Sequence, residues 1–228
     1  MDKIVLIEYE KEFINNLSNY IYAQALENKG YTCYYKNITN ERINFEDKMK
    51  NLNLKCKFLS PSRLKFDKVI SNKNISIESM LNIDESVLSS LKFTNLNFLL
   101  NYDILEEIKQ TNSIGFYLNE NDINDLSIEF LTNALKRLNK YLIKPKLFIF
   151  SKSNFDIPYE INYKFINIKN KNEEFYLLKN CKHKIIANLG KSQKVTFLAS
   201  LINKNDCNYV AYESKFAKNV KYKNWIKI

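Results

Sequence analysis

A chain of 228 residues with 45% hydrophobic and 14% aromatic content can bury a sizeable core, as one large domain or two small ones, which excludes a disordered polypeptide. Its net charge of +10 suits nucleic acid, an anionic membrane face or a sugar-nucleotide diphosphate. Lysine carries nearly all of that charge, arginine being confined to Arg42, Arg63 and Arg137, and no RNP, KH or helix-turn-helix pattern accompanies it, so no specific nucleic-acid recognition is expected. Cys33, Cys56, Cys181 and Cys207 show no C-x-x-C spacing, and His183 is the single histidine. These residues read as reduced, buried thiols, with no metal or other cofactor expected. The opening MDKIVLIEYE is too short for a signal peptide or a membrane span, which predicts a cytoplasmic protein and leaves peripheral contact with the inner membrane face open.

Lys3 to Ile7 reads as a strand, and Phe13, Leu17, Ile21 and Ala25 line one face of a helix ending near Gly30. Tyr31 to Tyr35 then completes a parallel βαβ unit. Helices are expected at Phe45 to Leu52 and Ile75 to Leu91, with a domain boundary near Asn101. Beyond it come a helix from Ile104 to Gln110 and a strand from Ser113 to Leu118. Asp122 or Asn124 is placed to cap a helix carrying Leu126, Phe130, Ala134, Leu138 and Leu142 at every fourth residue. Pro145 stops that helix, and strands follow at Lys146 to Phe150 and Tyr163 to Ile168. A helix around Glu173 to Lys179, a strand His183 to Ala187, a helix Ser192 to Ile202 and a strand Tyr209 to Tyr212 close the series. Alternation at this spacing predicts an α/β fold with Rossmann-like parallel sheets.

The run from Phe175 to Asn188, FYLLKNCKHKIIAN, with a helix close behind, resembles the donor-side segment of α-1,2-fucosyltransferases, glycosyltransferase family 11. Ile104 to Asp122 resembles that family's approach to its H-x-R-R-G-D motif, and Leu142 to Ser151 resembles a strand ending F-I-F-S-D-D. Asn208 to Tyr212 and Asn224 to Ile228 resemble the closing strand and C-terminal tail. The resemblance implies a GT-B-like, two-lobed architecture reduced in size, with residues 1–100 as the acceptor-side lobe and 101–228 as the donor-side lobe. It implies inverting, metal-independent transfer of fucose from GDP-fucose to a glycan hydroxyl. Such transfer needs cations and backbone N–H groups around the leaving diphosphate.

Several of those groups are replaced. Gly115, Phe116, Tyr117, Leu118, Asn119 and Glu120 stand where H-x-R-R-G-D belongs, so both arginines are gone, and Tyr or Leu supplies no paired donors. Lys11 to Asn16 stands where G-G-L-G-N-Q opens the first helix, and only the amide pair Asn15 and Asn16 survives. Lys152 and Ser153 occupy the acidic pair. In the donor segment Asn188 and Ser192 match, while Gln193 and Lys194 displace two tryptophans.

The resemblance therefore leaves Asn15, Asn16, Asn188, Lys191 and Ser192 as the donor-binding candidates. Asn188 and Ser192 can equally cap a helix, and Lys191 and Lys194 can equally be solvated. His183, on an apolar strand, reads as structural rather than as a general base. Glu120 and Asp122 read as loop and N-cap groups before catalytic carboxylates. Two functions follow: a fucosyltransferase-like enzyme acting on a nucleotide sugar and a glycan acceptor, or a catalytically inactive homologue serving as a binding or partner module.

Overall fold

A computed structural model describes residues 3–9, 12–37, 66–71, 75–83, 85–90, 99–157, 159–203, 208–216, 220 and 222–228. The helix expected at Phe45 to Leu52 lies outside them. The chain divides into two compact units, Met1–Asn97 and Phe98–Ile228.

In the first unit the apolar run Lys3–Tyr9 forms β1 and pairs in parallel with β2, Tyr31–Asn37, and with β3, Lys68–Ile70, giving the order β2-β1-β3. Helix α1, Phe13–Glu27, connects β1 to β2 and buries Phe13, Leu17, Tyr20 and Ile21. Gly30 closes the turn after it at φ +84, a left-handed conformation that glycine adopts without strain. The single helix expected over Ile75 to Leu91 is two short ones, α2 at Ile77–Leu81 and α3 at Glu85–Ser90. Ser76 caps the first by accepting the Ser79 N–H at 3.1 Å, and a turn from Ile83 N to Met80 O ends it.

The second unit builds on the chain from α4, Tyr102–Gln110, through β4, Asn112–Tyr117, a 3-10 turn at Glu120–Asp125, α5, Ile128–Asn139, and β5, Pro145–Phe150. It continues with β6, Asn162–Ile166, α6, Lys171–Asn180, β7, His183–Ile186, α7, Gly190–Ile202, β8, Val210–Tyr212, and β9, Trp225–Lys227. Among the described residues its sheet runs β6-β5-β4-β7-β8-β9, every pair parallel. Counted within the unit that is the doubly wound order 3-2-1-4-5-6, with its topological switch point between β4 and β7. The architecture is α/β with parallel, Rossmann-like sheets.

The sheet is covered on both faces, which is why β4 and β5 read as continuous apolar runs rather than alternating ones. Ile114, Phe116, Leu147, Ile149 and Ile185 meet Phe130, Leu131, Ala134, Leu135 and Leu138 of α5. Each buried leucine there contributes about 2 kcal/mol. Behind Gly115, Leu178 and Cys181 at the end of α6 press so close that an added Cβ would lie 2.8 Å from Leu178 Cδ1 and 2.9 Å from Cys181 Cβ.

Two expectations about capping change. Ser127, not Asp122 or Asn124, caps α5 through its Oγ, which accepts the Phe130 N–H at 3.1 Å. Asp122 instead serves a helix seventy residues further along the chain. Asn224 to Ile228, read as a tail, contributes β9. No helix among the described residues is long and apolar enough to cross a membrane.

Candidate functional site

In an open parallel sheet, ligands bind outside the carboxyl ends of the strands at the switch point. Here that edge holds Asn188 just beyond β7 and Ser192 in the first turn of α7, whose unpaired N–H groups and dipole make a natural anion site. The chain's own carboxylate already fills it. Asp122, carried from the end of β4 by the 3-10 turn, accepts from Ser192 N at 3.1 Å and from Ser192 Oγ at 2.6 Å. Ser192 Oγ in turn accepts the Asn119 N–H at 2.7 Å, which stitches the end of β4 to the start of α7. Gly190, at φ +28, is what lets the acid in: an added Cβ would stand 2.8 Å from Asp122 Oδ1.

Asn188 is engaged in the same way. Its N–H donates to Glu213 Oε2 at 3.0 Å, and its Oδ1 accepts from Gln193 Nε2 at 2.6 Å. Lys191 is exposed beside them on α7. The relative sizes of the effects settle what this arrangement favours. A helix N-terminus gives an anion about 2 kcal/mol at most. A phosphate charge about 4 Å from an unmoved carboxylate loses about 4 kcal/mol at an effective dielectric of about 20. The arrangement rejects a second anion while Asp122 stays in place.

Asn15 and Asn16 lie in the other unit, buried in the first turns of α1. Asn15 Nδ2 donates to Glu12 Oε2 at 3.5 Å and Asn16 N to Glu12 O at 3.2 Å. Nearby, Asn19 Nδ2 ties the helix to β1 by donating to Glu8 O at 2.6 Å, while its buried Oδ1 has no partner.

A second feature lies on the other side of β4. The carboxyl ends of β4 and β5 and the first turn of α6 enclose a cleft of about 60 Å³ lined by Tyr117, Glu120, Ser151, Lys152, Lys171 and Glu174, among others. Its charges are balanced in pairs, Lys171 to Glu174 at 2.5 Å and Lys152 to Glu120 at 3.1 Å. The Lys171 ammonium stands 5.6 Å over the Tyr117 ring. Burial pushes the Glu174 carboxyl up, against the pull of Lys171, and burial together with the Glu174 charge raises the Tyr117 hydroxyl. Desolvation is the largest single influence on Lys171 and would lower it, but the hydrogen bond and charge of Glu174, with Tyr117 beside them, together raise it. Sequence reasoning passed over this cleft because Glu173 and Glu174 look like ordinary acids at a helix start. Both are buried: Glu173 Oε1 accepts from Leu100 N at 2.6 Å and Asn101 N at 2.8 Å, and so ties α6 to α4.

The most strongly shifted groups lie at the opposite end of the sheet. Burial lowers His183 to about 4, and its Nδ1 accepts the Tyr209 N–H at 3.2 Å, which places the proton on Nε2. Lys184 is wholly buried on β7, donates to Cys181 O at 2.7 Å and is lowered by burial to about 8. Burial raises the Cys181 thiol to about 12. These are interior groups at the amino ends of the strands, far from where such a sheet binds ligands. Among the described residues no cluster of His, Cys, Asp and Glu could hold a metal ion.

The fold and its carboxyl edge define a doubly wound α/β protein with an internally capped switch point. No family model matches the sequence, and no curated protein does. Among solved structures it is similar to the fucosyltransferase NodZ from Bradyrhizobium, at 12% identity and a TM-score of 0.45, over 89% of this chain and 92% of that one. So distant a likeness carries no argument about the site.

Proposed function

We propose that this chain is a glycosyltransferase-like protein, resembling the α-1,2-fucosyltransferases of family 11, that does not transfer a nucleotide sugar and acts as a glycan-binding or partner module. The observation that carries the reading is Asp122, whose carboxylate takes both donors of Ser192 at the start of α7. A diphosphate bound there would have to displace it, and Phe116, Tyr117 and Leu118 offer no arginine in compensation. In this reading Asn188, Lys191 and Ser192 are remnants of a donor site, and Asn15 and Asn16 belong to the packing of α1.

The test is turnover. With GDP-fucose and a galactoside acceptor, release of GDP should equal that of a buffer control, and the same should hold for other nucleotide sugars. Release above the control would overturn the proposal.

One observation favours the enzyme instead. Asn188 and Ser192 sit at the switch point, where doubly wound sheets take their ligands. An active protein would move Asp122 aside as the donor arrives, meet the diphosphate with Lys191 and Lys194, and transfer fucose with inversion and without a metal.

A further inference from the structure

Glu174 is 3% exposed, and one of its oxygens, Oε2, is taken by Lys171 at 2.5 Å. The other, Oε1, has no hydrogen bond among the described residues and is not sealed from solvent, and Glu174 lines the 60 Å³ cleft at the ends of β4 and β5. A carboxylate oxygen held in a mostly dry wall without a donor is an unmet demand, and charge-assisted hydrogen bonds to such oxygens are the strong ones. The charge balance around it selects the donor. An anion would meet Glu174 and Glu120, both already paired, and gain no free cation. A second cation would compete with Lys171, which already stands at 2.5 Å.

What remains is a neutral group that donates to Glu174 Oε1 while accepting from a lysine. Lys152, half-exposed and paired among the described residues with Glu120 alone, keeps donors to spare on the rim. Two neighbouring hydroxyls meet both requirements, one donating to Glu174 and the other accepting from Lys152. We infer that this cleft binds the vicinal-diol edge of a single neutral saccharide residue. A volume of about 60 Å³ admits the edge of a pyranose. It is far below the roughly 300 to 1,000 Å³ that enclose a drug-sized ligand. The inference rests on the glycan-binding half of the function proposed above.

Saturation-transfer NMR on the full chain tests it, with the methyl pyranosides of fucose, galactose, glucose and mannose as probes and inorganic pyrophosphate as the anion control. At least one pyranoside should bind saturably with a Kd of about 1 mM, the range that a few hydrogen bonds support. Its signal should be strongest on the protons of one diol edge. Glu174→Gln should weaken binding about tenfold, because the one amide oxygen is drawn to Lys171 and leaves an NH2 facing the cleft. Lys152→Ala should weaken it severalfold with an unchanged melting temperature, which separates loss of the site from loss of the fold. Absence of saturable binding by every pyranoside up to about 50 mM, well above that range, would overturn the inference. So would affinity unchanged by both substitutions, or pyrophosphate competing for the same signal. None of these results touches the turnover measurement, so the site can fail while the absence of transfer stands.

Discussion

The two ends of the six-stranded sheet solve opposite problems. At the carboxyl edge charges are met by close partners: Asp122 by Ser192, Glu213 by Asn188, Lys152 by Glu120. At the amino end His183 and Lys184 are buried without a carboxylate, and their shifts come first from desolvation. Strongly shifted groups are often taken as markers of an active site. Here the largest shifts mark the interior, and the groups at the edge where ligands would bind, Glu174, Tyr117 and Lys171, shift less. The comparison teaches that position on the fold, rather than size of shift, identifies the candidate site.

The largest expected effect tests the amino end by pH. His183 has a folded pKa of about 4 against an ordinary 6.5, so the unfolded chain binds the proton more readily. The stability this contributes is fully present above pH 6.5 and is lost as pH falls through about 4, about 3 kcal/mol in all. Urea denaturation across that window should show the loss, and His183→Gln should flatten it. Lys184, lowered from 10.5 to about 8, is held charged at neutral pH against its burial. Stability should therefore rise as pH rises from 8 to 10.5, and Lys184→Met should stabilise the protein at pH 7 by about 2 kcal/mol. A lowered urea midpoint in that variant would mean that the charge is structurally required.

Between the two ends, Gly115→Ala should cost about 2 kcal/mol in the same assay, because the new Cβ would meet Cys181 Cβ at 2.9 Å, an atom that moves only with its backbone. At the carboxyl edge Asp122→Ala should cost about 1 kcal/mol, the worth of a helix cap, while Asp122→Asn should cost less. An Asp122→Ala loss as large as that at Gly115 would erase the contrast between interior and edge. The smallest effect is expected at Glu107, whose carboxyl is lowered by its hydrogen bonds to Lys146 and Lys164. Its contribution is present above pH 4.5 and fades below it, and Glu107→Gln should cost under about 1 kcal/mol at pH 7, since these side chains remain partly exposed.

Much of the fold was legible because its signals are local. The βαβ start, the four-residue spacing of Phe130, Ala134 and Leu138, and the apolar runs of β4, β5 and β7 each declare an element within a dozen residues. β3 and β9 were missed because they are three residues long and bury little, only Ile70 in β3 and no residue fully in β9, whereas β8, equally short, is buried throughout and reads as apolar. The single helix expected over Ile75 to Leu91 is broken because the turn from Ile83 N to Met80 O ends the helix that Ser76 caps. For the site, Asn188 and Ser192 were placed by position in the series. Their partners were not, since Asp122 lies seventy residues from Ser192 and Glu213 twenty-five from Asn188. No spacing rule tells whether an acid at a helix start stands in open water, as Glu174 would by habit, or is buried in the wall of a cleft, as it is.

The central claim is that Asp122 keeps the switch point closed to a diphosphate. An amide-resolved NMR titration of the full chain with GDP, followed at Ser192 and Asn188, tests it most directly. With Asp122 in place, neither amide should shift as GDP is raised to millimolar concentration. Saturable shifts at both, with Asp122 released from Ser192, would contradict it and restore the enzyme.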